Sequence, residues 1–166
     1  MKITQIWDRI ISKFKEQNLV SDLNPGLNKA QIDHLLKEYN WKLPNDFLQS
    51  IQIHDGQVGY KEGILNGWQL LPLTFVISEW ELMNKLLQNG KLNTNPSPND
   101  KLVFEWWSKH WIPIASNGAG DLICIDLLPG EKGVLGQIIQ FNHATPTRDV
   151  LADSFTIWLE SGLKNI

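Results

Sequence analysis

The residues most able to do chemistry gather in one stretch, which reads EWWSKHWIPIASNGAGDLICIDLL from Glu105 to Leu128. Two apolar runs flank a glycine-rich turn, and the second run carries Asp121, Cys124 and Asp126. Such residue types could form a phosphate-binding loop, a thiol nucleophile or a pair of catalytic carboxylates. Each possibility requires a particular spacing or sequence context.

The glycine-rich turn, Gly118-Ala119-Gly120, resembles a fragment of a phosphate-binding loop. Such a loop runs from a strand into the N-terminus of a helix, with a lysine or a third glycine at fixed spacing. Here the glycines lie between two strand-like runs, and Asn117-Gly118 is typical of a tight hairpin turn. The sequence therefore predicts a hairpin in place of a phosphate site.

The sequence around the cysteine and the histidines also lacks the residues that thiol or metal chemistry requires. Cys124 lies among isoleucines without the neighbouring base that a nucleophilic thiolate needs, so we expect a small buried side chain there. The four histidines share no metal-binding spacing. His54 beside Asp55 could be half of an acid–base site if His110 or His143 completed it in space.

Three aspartates, Asp55, Asp121 and Asp126, stand at predicted structural junctions. The residues themselves leave three interpretations open: a paired-carboxylate hydrolase, local turn chemistry, and an acidic surface for a basic partner. The hydrolase would require a histidine and two of these aspartates to converge in one pocket.

Tryptophan is the unusual component of the composition, with eight residues, and it is enriched at binding surfaces. Trp68, Trp106, Trp107 and Trp111 gather around the predicted sheet. Adjacent Trp106 and Trp107 cannot both face inward in an extended segment, so one of them is a candidate exposed anchor. In a helical turn, by contrast, both could be partly buried. We predict Trp68 and Trp107 as contacts to a partner.

The elements that position these residues follow from periodicity and from turn signals. Apolar residues recur at three- and four-residue spacing over residues 2–17, so residues 1–17 are predicted to hold an amphipathic helix packed on the rest of the chain. Further helices are predicted from Asn28, from Pro44 to His54, from the Ser78/Glu81 capping box to Asn89, and from Asp153 or Ser154 to Gly162. Strands are predicted over 67–72, 111–116, 121–127 and 134–141. Helices on both sides of a meander favour one α+β domain over residues 1–166.

Composition and charge narrow the class of protein. A net charge of -3 offers no basic stripe for nucleic acid, and the single Cys124 excludes an internal disulfide and a zinc cluster. Asp8 and Arg9 interrupt what would be the apolar part of a signal peptide, and no run of about twenty apolar residues is present. We therefore expect a cytoplasmic protein that binds neither nucleic acid nor a membrane directly.

Together these motifs resemble the SUKH superfamily in its Smi/Knr branch, from about Asn28 to Leu163. The order and spacing of the motifs carry the resemblance, since no single motif is diagnostic. The matching residues are Leu43-Pro44 with Asp46-Phe47, His54-Asp55-Gly56-Gln57, Gly67-Trp68 with Leu71-Pro72-Leu73, Trp106-Trp107, Trp111 to Ala115, Gly118, Gly120 and Asp121, Cys124-Ile125-Asp126, Gly136-Gln137, and Phe155 with Trp158-Leu159.

The resemblance implies a curved antiparallel sheet packed by helices, and no enzymatic activity. It also implies one of two roles: bacterial members resemble immunity proteins that neutralise toxins, often nucleases, and fungal members resemble scaffolds in cell-wall signalling. Two positions depart from the family's pattern, since Leu36 stands where a glutamate is frequent and Asn117 where an aspartate is frequent. Both departures remove negative charge and leave more of the binding to aromatic and polar contacts.

We therefore predict a non-enzymatic protein-binding domain, namely an immunity protein that occupies the active face of a secreted toxin. The alternative is a regulatory scaffold in cell-wall glucan synthesis. The expected partner is a protein, and the chain is expected to be a monomer or weak homodimer without cofactor, metal or catalytic residue. The predicted partner contacts are Asp55, Trp68, Trp107, Asp121 and Asp126.

Overall fold

The computed structural model describes residues 1–18, 22–59, 63 and 65–163. Within these residues the helices are α1 (Ile3–Glu16), α2 (Lys29–Leu36), α3 (Asn45–Ile53), α4 (Leu73–Gln88) and α5 (Phe155–Gly162). The strands are β1 (Gln69–Leu70), β2 (Trp111–Ser116), β3 (Leu122–Asp126), β4 (Ile138–Phe141) and β5 (Arg148–Ala152). The predicted α+β fold is confirmed.

The strands form one curved antiparallel sheet in the order β1-β2-β3-β4-β5, so each strand pairs with its neighbour in sequence. β2 and β3 are joined at Asn117-Gly118, and Ser116 lies opposite Leu122 across the turn. Gly118 has a φ of 74°, a left-handed conformation that glycine adopts without steric cost. The hairpin predicted at this position is confirmed.

One face of the sheet packs against α1, α3 and α5. Their apolar side chains meet alternate residues of the central strands, among them Ile112, Ile123 and Ile125. Trp7 of α1 adds a polar link, since its indole N–H donates a hydrogen bond to Ser50 Oγ of α3 at 2.8 Å. This bond and the shared apolar core hold α1 against α3.

The opposite face of the sheet is covered by the second half of α4 and by the segment 102–111. Met83 of α4 and Leu102 close a second core around Cys124. Cys124 is fully buried, as predicted. Burial raises the pKa of its thiol, and the Asp126 and Glu79 carboxylates raise that pKa further. The thiol is therefore a packing group and not a nucleophile.

Three element boundaries differ from the sequence prediction. α4 begins at Leu73 and not at Ser78, because its first amide is capped by a residue distant in sequence. β1 spans only Gln69–Leu70, within the longer strand predicted there. β4 begins at Ile138, since residues 127–137 form a connection with hydrogen bonds of its own.

β5 is missing from the sequence prediction because long-range contacts determine it. Its first residue, Arg148, is buried and donates hydrogen bonds to backbone carbonyl oxygens of Asn142, Thr145, Thr147 and Trp106. The guanidinium carbon lies 4.4 Å from the centroid of the Phe141 ring. Burial lowers the pKa of Arg148 to about 10. A basic residue in a sequence that resembles a loop therefore anchors an edge strand.

Candidate functional site

Asp55 lies buried beside the start of α4. Its Oδ1 accepts a hydrogen bond at 2.7 Å from the backbone N–H of Leu73, the first residue of that helix. Burial raises the pKa of Asp55, and the bond from Leu73 opposes this shift. Helix N-termini leave amides without intrahelical acceptors, and Pro72 at the N-cap offers no side-chain cap. The inward carboxylate therefore caps α4, which corrects the prediction of Asp55 as a partner contact.

We expect Asp55→Ala to lower the free energy of unfolding by about 1–3 kcal/mol, because the Leu73 amide would stay buried without its acceptor. Chemical denaturation followed by tryptophan fluorescence measures the change. Asp55→Asn keeps one carbonyl oxygen for Leu73 and should lose less than half as much. Unchanged stability in Asp55→Ala would contradict the capping role.

Trp106 and Trp107 lie in a bend and not in an extended segment, and both pack on the second core, in which Trp107 is the fully buried one of the two. It is 1% exposed and lies edge-on against the rings of Trp111 and Phe141, with centroids 5.8 and 5.4 Å away. Trp106 is the partly exposed member, and the guanidinium carbon of Arg148 lies 4.6 Å from its centroid. The prediction of Trp107 as an exposed anchor is therefore corrected: its ring belongs to the second core.

Asp126 also lies in the interior, at 0% exposure. Its Oδ1 accepts a hydrogen bond from the Leu128 amide at 3.0 Å, and its Oδ2 accepts one from Gln137 Nε2 at 2.9 Å. Burial raises the pKa of Asp126, while the bonds from Gln137 and Leu128 oppose that shift. A carboxylate enclosed in this way cannot reach a partner, so the prediction for Asp126 is corrected as well.

Asp121 lies at the surface, where it links two turns of the sheet. Its Oδ1 accepts hydrogen bonds from the backbone N–H and ring Nδ1 of His143, at 3.0 and 2.8 Å, and its Oδ2 accepts one from Asn117 Nδ2 at 2.9 Å. Partial burial alone would raise the pKa of Asp121, but these bonds outweigh it and hold the pKa below its usual value. The prediction of Asp121 as a partner contact remains open.

Trp68 is partly exposed and lies elsewhere, so the five predicted contacts do not converge. It lines a hollow of about 290 Å³ together with residues of α5 and the sheet. The other lining residues are Leu65, Asn66, Gln140, Leu151, Trp158, Ser161 and Gly162. Trp68 stays a prediction for a separate surface.

The strongest candidate site is a cleft between α4, β1 and the β2–β3 hairpin, hereafter the α4 cleft. Its volume is about 310 Å³, which lies at the lower end of the range of about 300–1,000 Å³ common for binding clefts. It is lined by Gln69, Leu71, Phe75, Ser78, Glu79, Ser116, Gly118 and Gly120. Asp121 follows Gly120 directly, so this predicted contact lies next to the cleft.

Glu79 is the charged residue among those lining residues, and its place in the helix explains its partial burial. It follows Val76 by three residues and precedes Met83 by four, which puts all three on one helical face. Val76 belongs to the first core and Met83 to the second. The apolar stripe by which α4 joins the two cores is thus interrupted by one carboxylate.

The Glu79 carboxylate has no hydrogen-bond or ion-pair partner among the residues that the structure describes. Burial raises its pKa. Sequence reasoning missed Glu79 because the predicted helix started at Ser78, and an acidic residue in a first turn is ordinary. With the true start at Leu73, a glutamate on the buried stripe would have been the signal.

Several backbone amides of the glycine turn beside the cleft donate hydrogen bonds within the turn itself. Gly118 N–H donates to Ser116 Oγ at 3.1 Å, while the amides of Ala119 and Asp121 donate to Asn117 Oδ1 at 2.9 and 3.2 Å. A phosphate-binding turn must direct free amides at its anion. The internal bonds therefore leave these amides unable to bind an anion, and the charged group among the described lining residues is the Glu79 carboxylate.

The hydrolase interpretation required a histidine and two aspartates in one place. His143 meets Asp121 alone, because Asp126 bonds Gln137 in the second core and Asp55 caps α4. Among the described residues there is also no group of three or more His, Cys, Asp or Glu side chains arranged to hold a metal ion. None of the described helices has the length and apolar character needed to cross a bilayer.

We expect Glu79→Gln to leave stability unchanged or to raise it by about 0.5 kcal/mol at pH 7. A carboxyl whose pKa is raised on folding destabilises the folded state above that pKa, and the cost disappears as the pH falls below the ordinary glutamate value of about 4.3. The difference between variant and parent should therefore vanish towards pH 4, as measured by denaturation across pH. Exposed Glu131→Gln is the control and should show no such dependence.

Comparison with known proteins adds an independent line of evidence. Residues 26–161 match the family described as SMI1 / KNR4 family (SUKH-1). That match runs from the turn before α2 to the last turn of α5, and so includes the whole sheet and the α4 cleft.

Relatives described as fungal cell-wall regulators align with most of the chain. A Schizosaccharomyces pombe protein, "Cell wall biosynthesis/cell cycle regulator smi1", is 32% identical over 175 residues, covering 95% of this chain and 34% of the relative. A Neurospora crassa "Glucan synthesis regulatory protein" is 27% identical, and the alignment covers 95% of this chain and 37% of the relative. "Cell wall assembly regulator SMI1" of Saccharomyces cerevisiae is 27% identical, and the alignment covers 85% of this chain and 37% of that protein. The chain spans little more than a third of these relatives, and it belongs to the SMI1/KNR4 (SUKH-1) family.

Proposed function

We propose that this chain is a non-catalytic, protein-binding part of a regulator of cell-wall assembly. The α4 cleft is the observation that supports binding most directly: it combines walls of apolar and polar side chains with a half-buried carboxylate that lacks a partner among the described residues. Such a group has already lost part of its hydration, so a complementary partner gains more from pairing with it than from a fully exposed charge.

The process comes from the relatives, which are described as regulators of cell-wall assembly or glucan synthesis. None of these three descriptions mentions toxin neutralisation, so the immunity role predicted from the sequence stays a prediction. A shared fold alone cannot choose between the two roles. The regulatory role is favoured because it agrees with the relatives' descriptions.

A domain replacement in fission yeast tests this proposal. The segment of the Schizosaccharomyces pombe regulator that aligns with this chain would be replaced by the chain, in cells without the native protein. We expect growth under cell-wall stress to recover at least half of the difference between cells with the native regulator and cells with a segment-deleted version. Immunoblotting confirms equal amounts of the proteins.

A chimera that accumulates normally but grows no better than the segment-deleted version would contradict the regulatory role. A chimera carrying Trp107→Ala is a matched control for folding, because it damages the second core and leaves the residues of the α4 cleft unchanged. It should fail to restore growth.

A further inference from the structure

We propose that the α4 cleft binds the guanidinium group of an arginine projecting from a protein partner, with Glu79 as the anionic acceptor. This inference deepens the proposed function and rests on it, since it names the chemistry of the protein partner. Three features of the cleft carry it: its charge, the composition of its walls, and the place of Glu79 in α4.

The charge of the cleft selects a cation. Glu79 is the charged residue among the described lining residues, whereas the carboxylate of Asp121, next to Gly120 in sequence, already accepts hydrogen bonds from His143 and Asn117. The amides of Gly118, Ala119 and Asp121 are engaged within the turn, which opposes binding of an anion there. A cationic side chain would provide the counter-charge that Glu79 lacks among the described residues.

The walls favour arginine over lysine. Leu71 and Phe75 supply apolar and aromatic surface, while Gln69, Ser78 and Ser116 supply polar groups. An arginine side chain matches this mixture, because its stem is apolar and its planar guanidinium stacks on aromatic rings and binds a carboxylate in a fork. Guanidinium is also more weakly hydrated than ammonium, so it loses less on entering a partly buried cleft.

The place of Glu79 agrees with a binding role. A side chain between Val76 and Met83 on the buried stripe of α4 would stabilise the fold best if it were apolar. A carboxylate with a burial-raised pKa and no described partner lowers the stability of the fold at neutral pH. A partner that supplies a cation would pair with the Glu79 carboxylate and offset its desolvation, which no described residue of the chain does.

The test uses the whole 166-residue chain and a small probe, N-acetyl-argininamide, followed by amide chemical shifts in NMR. We expect saturable shifts at Ser78, Gly118 and Gly120, with a Kd on the order of millimolar for so small a ligand. Glu79→Gln should weaken binding at least about tenfold, the loss of one charge-assisted hydrogen bond. Glu131→Gln removes an exposed charge outside the cleft and should bind as the parent does.

Two further probes separate guanidinium recognition from other contacts. N-acetyl-citrullinamide has nearly the same shape without charge, and N-acetyl-lysinamide has charge without the planar fork; both should bind at least about fivefold more weakly. No saturable binding of the arginine probe, equal binding in Glu79→Gln, or equal binding of the citrulline probe would overturn the proposal. Equal binding of the lysine probe would overturn its guanidinium specificity.

The outcome is independent of the cell-wall experiment. Probe binding is measured on the isolated chain, so it can fail while the chimera restores growth; the protein-binding role then stands and the arginine assignment falls. If the probe binds as expected but the chimera fails, the cleft chemistry stands and the cell-wall role falls. A chimera carrying Glu79→Gln should restore less growth than the parent chimera only if both hold.

Discussion

Replacing Trp107 with alanine should lower the free energy of unfolding by about 3–5 kcal/mol, the usual cost of removing a large aromatic side chain from a core. Trp107 is 1% exposed and lies edge-on against Trp111 and Phe141. Edge-to-face aromatic pairs contribute about 0.5–1.5 kcal/mol each beyond their buried area, so the cavity left by alanine would be accompanied by two lost ring contacts. Urea denaturation followed by circular dichroism measures the loss.

Trp107→Phe separates packing from hydrogen bonding at this position. The indole Nε1 has no hydrogen-bond acceptor among the described residues, so the smaller ring forfeits volume but no hydrogen bond. We expect it to cost less than half as much as alanine. If Trp107→Ala stayed within about 1 kcal/mol of the parent and instead weakened partner binding, the ring would be a surface anchor and its place in the second core would be contradicted.

Local sequence signals predicted those parts of the fold that depend on local interactions. Asn117-Gly118 specifies its hairpin because the turn needs a residue that tolerates positive φ, and Asn28 specifies the start of α2 because its side chain caps the Gln31 amide at 2.9 Å. The start of α4 escaped prediction, since its cap, Asp55, lies 18 residues before the capped amide. β5 was also missed because its contacts are distant in sequence: Arg148 donates to the Trp106 carbonyl and lies over the Phe141 ring.

The candidate site was harder to predict than the fold, because it depends on which side chains remain exposed. Alternation in an extended segment predicted that only one of Trp106 and Trp107 would face inward, but the chain bends there and both pack on the second core, Trp107 completely and Trp106 in part. Aspartates beside strand ends and turns were equally ambiguous: Asp121 stayed near the surface, and Asp126 became the centre of a buried network. Glu79 required the correct helix start before its position on the stripe could be recognised.

Asp126→Ala should lower the free energy of unfolding by about 2–4 kcal/mol, because it removes the charged acceptor of one buried and one partly buried hydrogen bond. The lost stability is not confined to the two hydrogen bonds of Asp126, because its partner Gln137 makes further contacts. The Gln137 side chain donates to Asp126 and to the carbonyl of Lys101 at 2.8 Å, and it accepts from the amide of Val134 at 3.0 Å. It therefore joins the β3–β4 connection to Lys101, which directly precedes the segment that covers the second core. Denaturation measured at pH 7 gives the magnitude, and slower unfolding of the parent would show that the network resists opening.

Asp126→Asn is the matched variant, and pH separates the charge of Asp126 from its hydrogen bonds. The asparagine amide would place an N–H₂ group against Gln137 Nε2, or turn it towards the Leu128 amide, so one of the two donors loses its acceptor. Because burial raises the pKa of Asp126, the folded state binds a proton more readily than the unfolded state. The parent should therefore gain stability relative to Asp126→Asn as the pH falls from neutral towards the ordinary aspartate value of about 3.9. A relative loss of stability on acidification would mean that the ionised carboxylate is favoured by folding, and would contradict the burial-raised pKa.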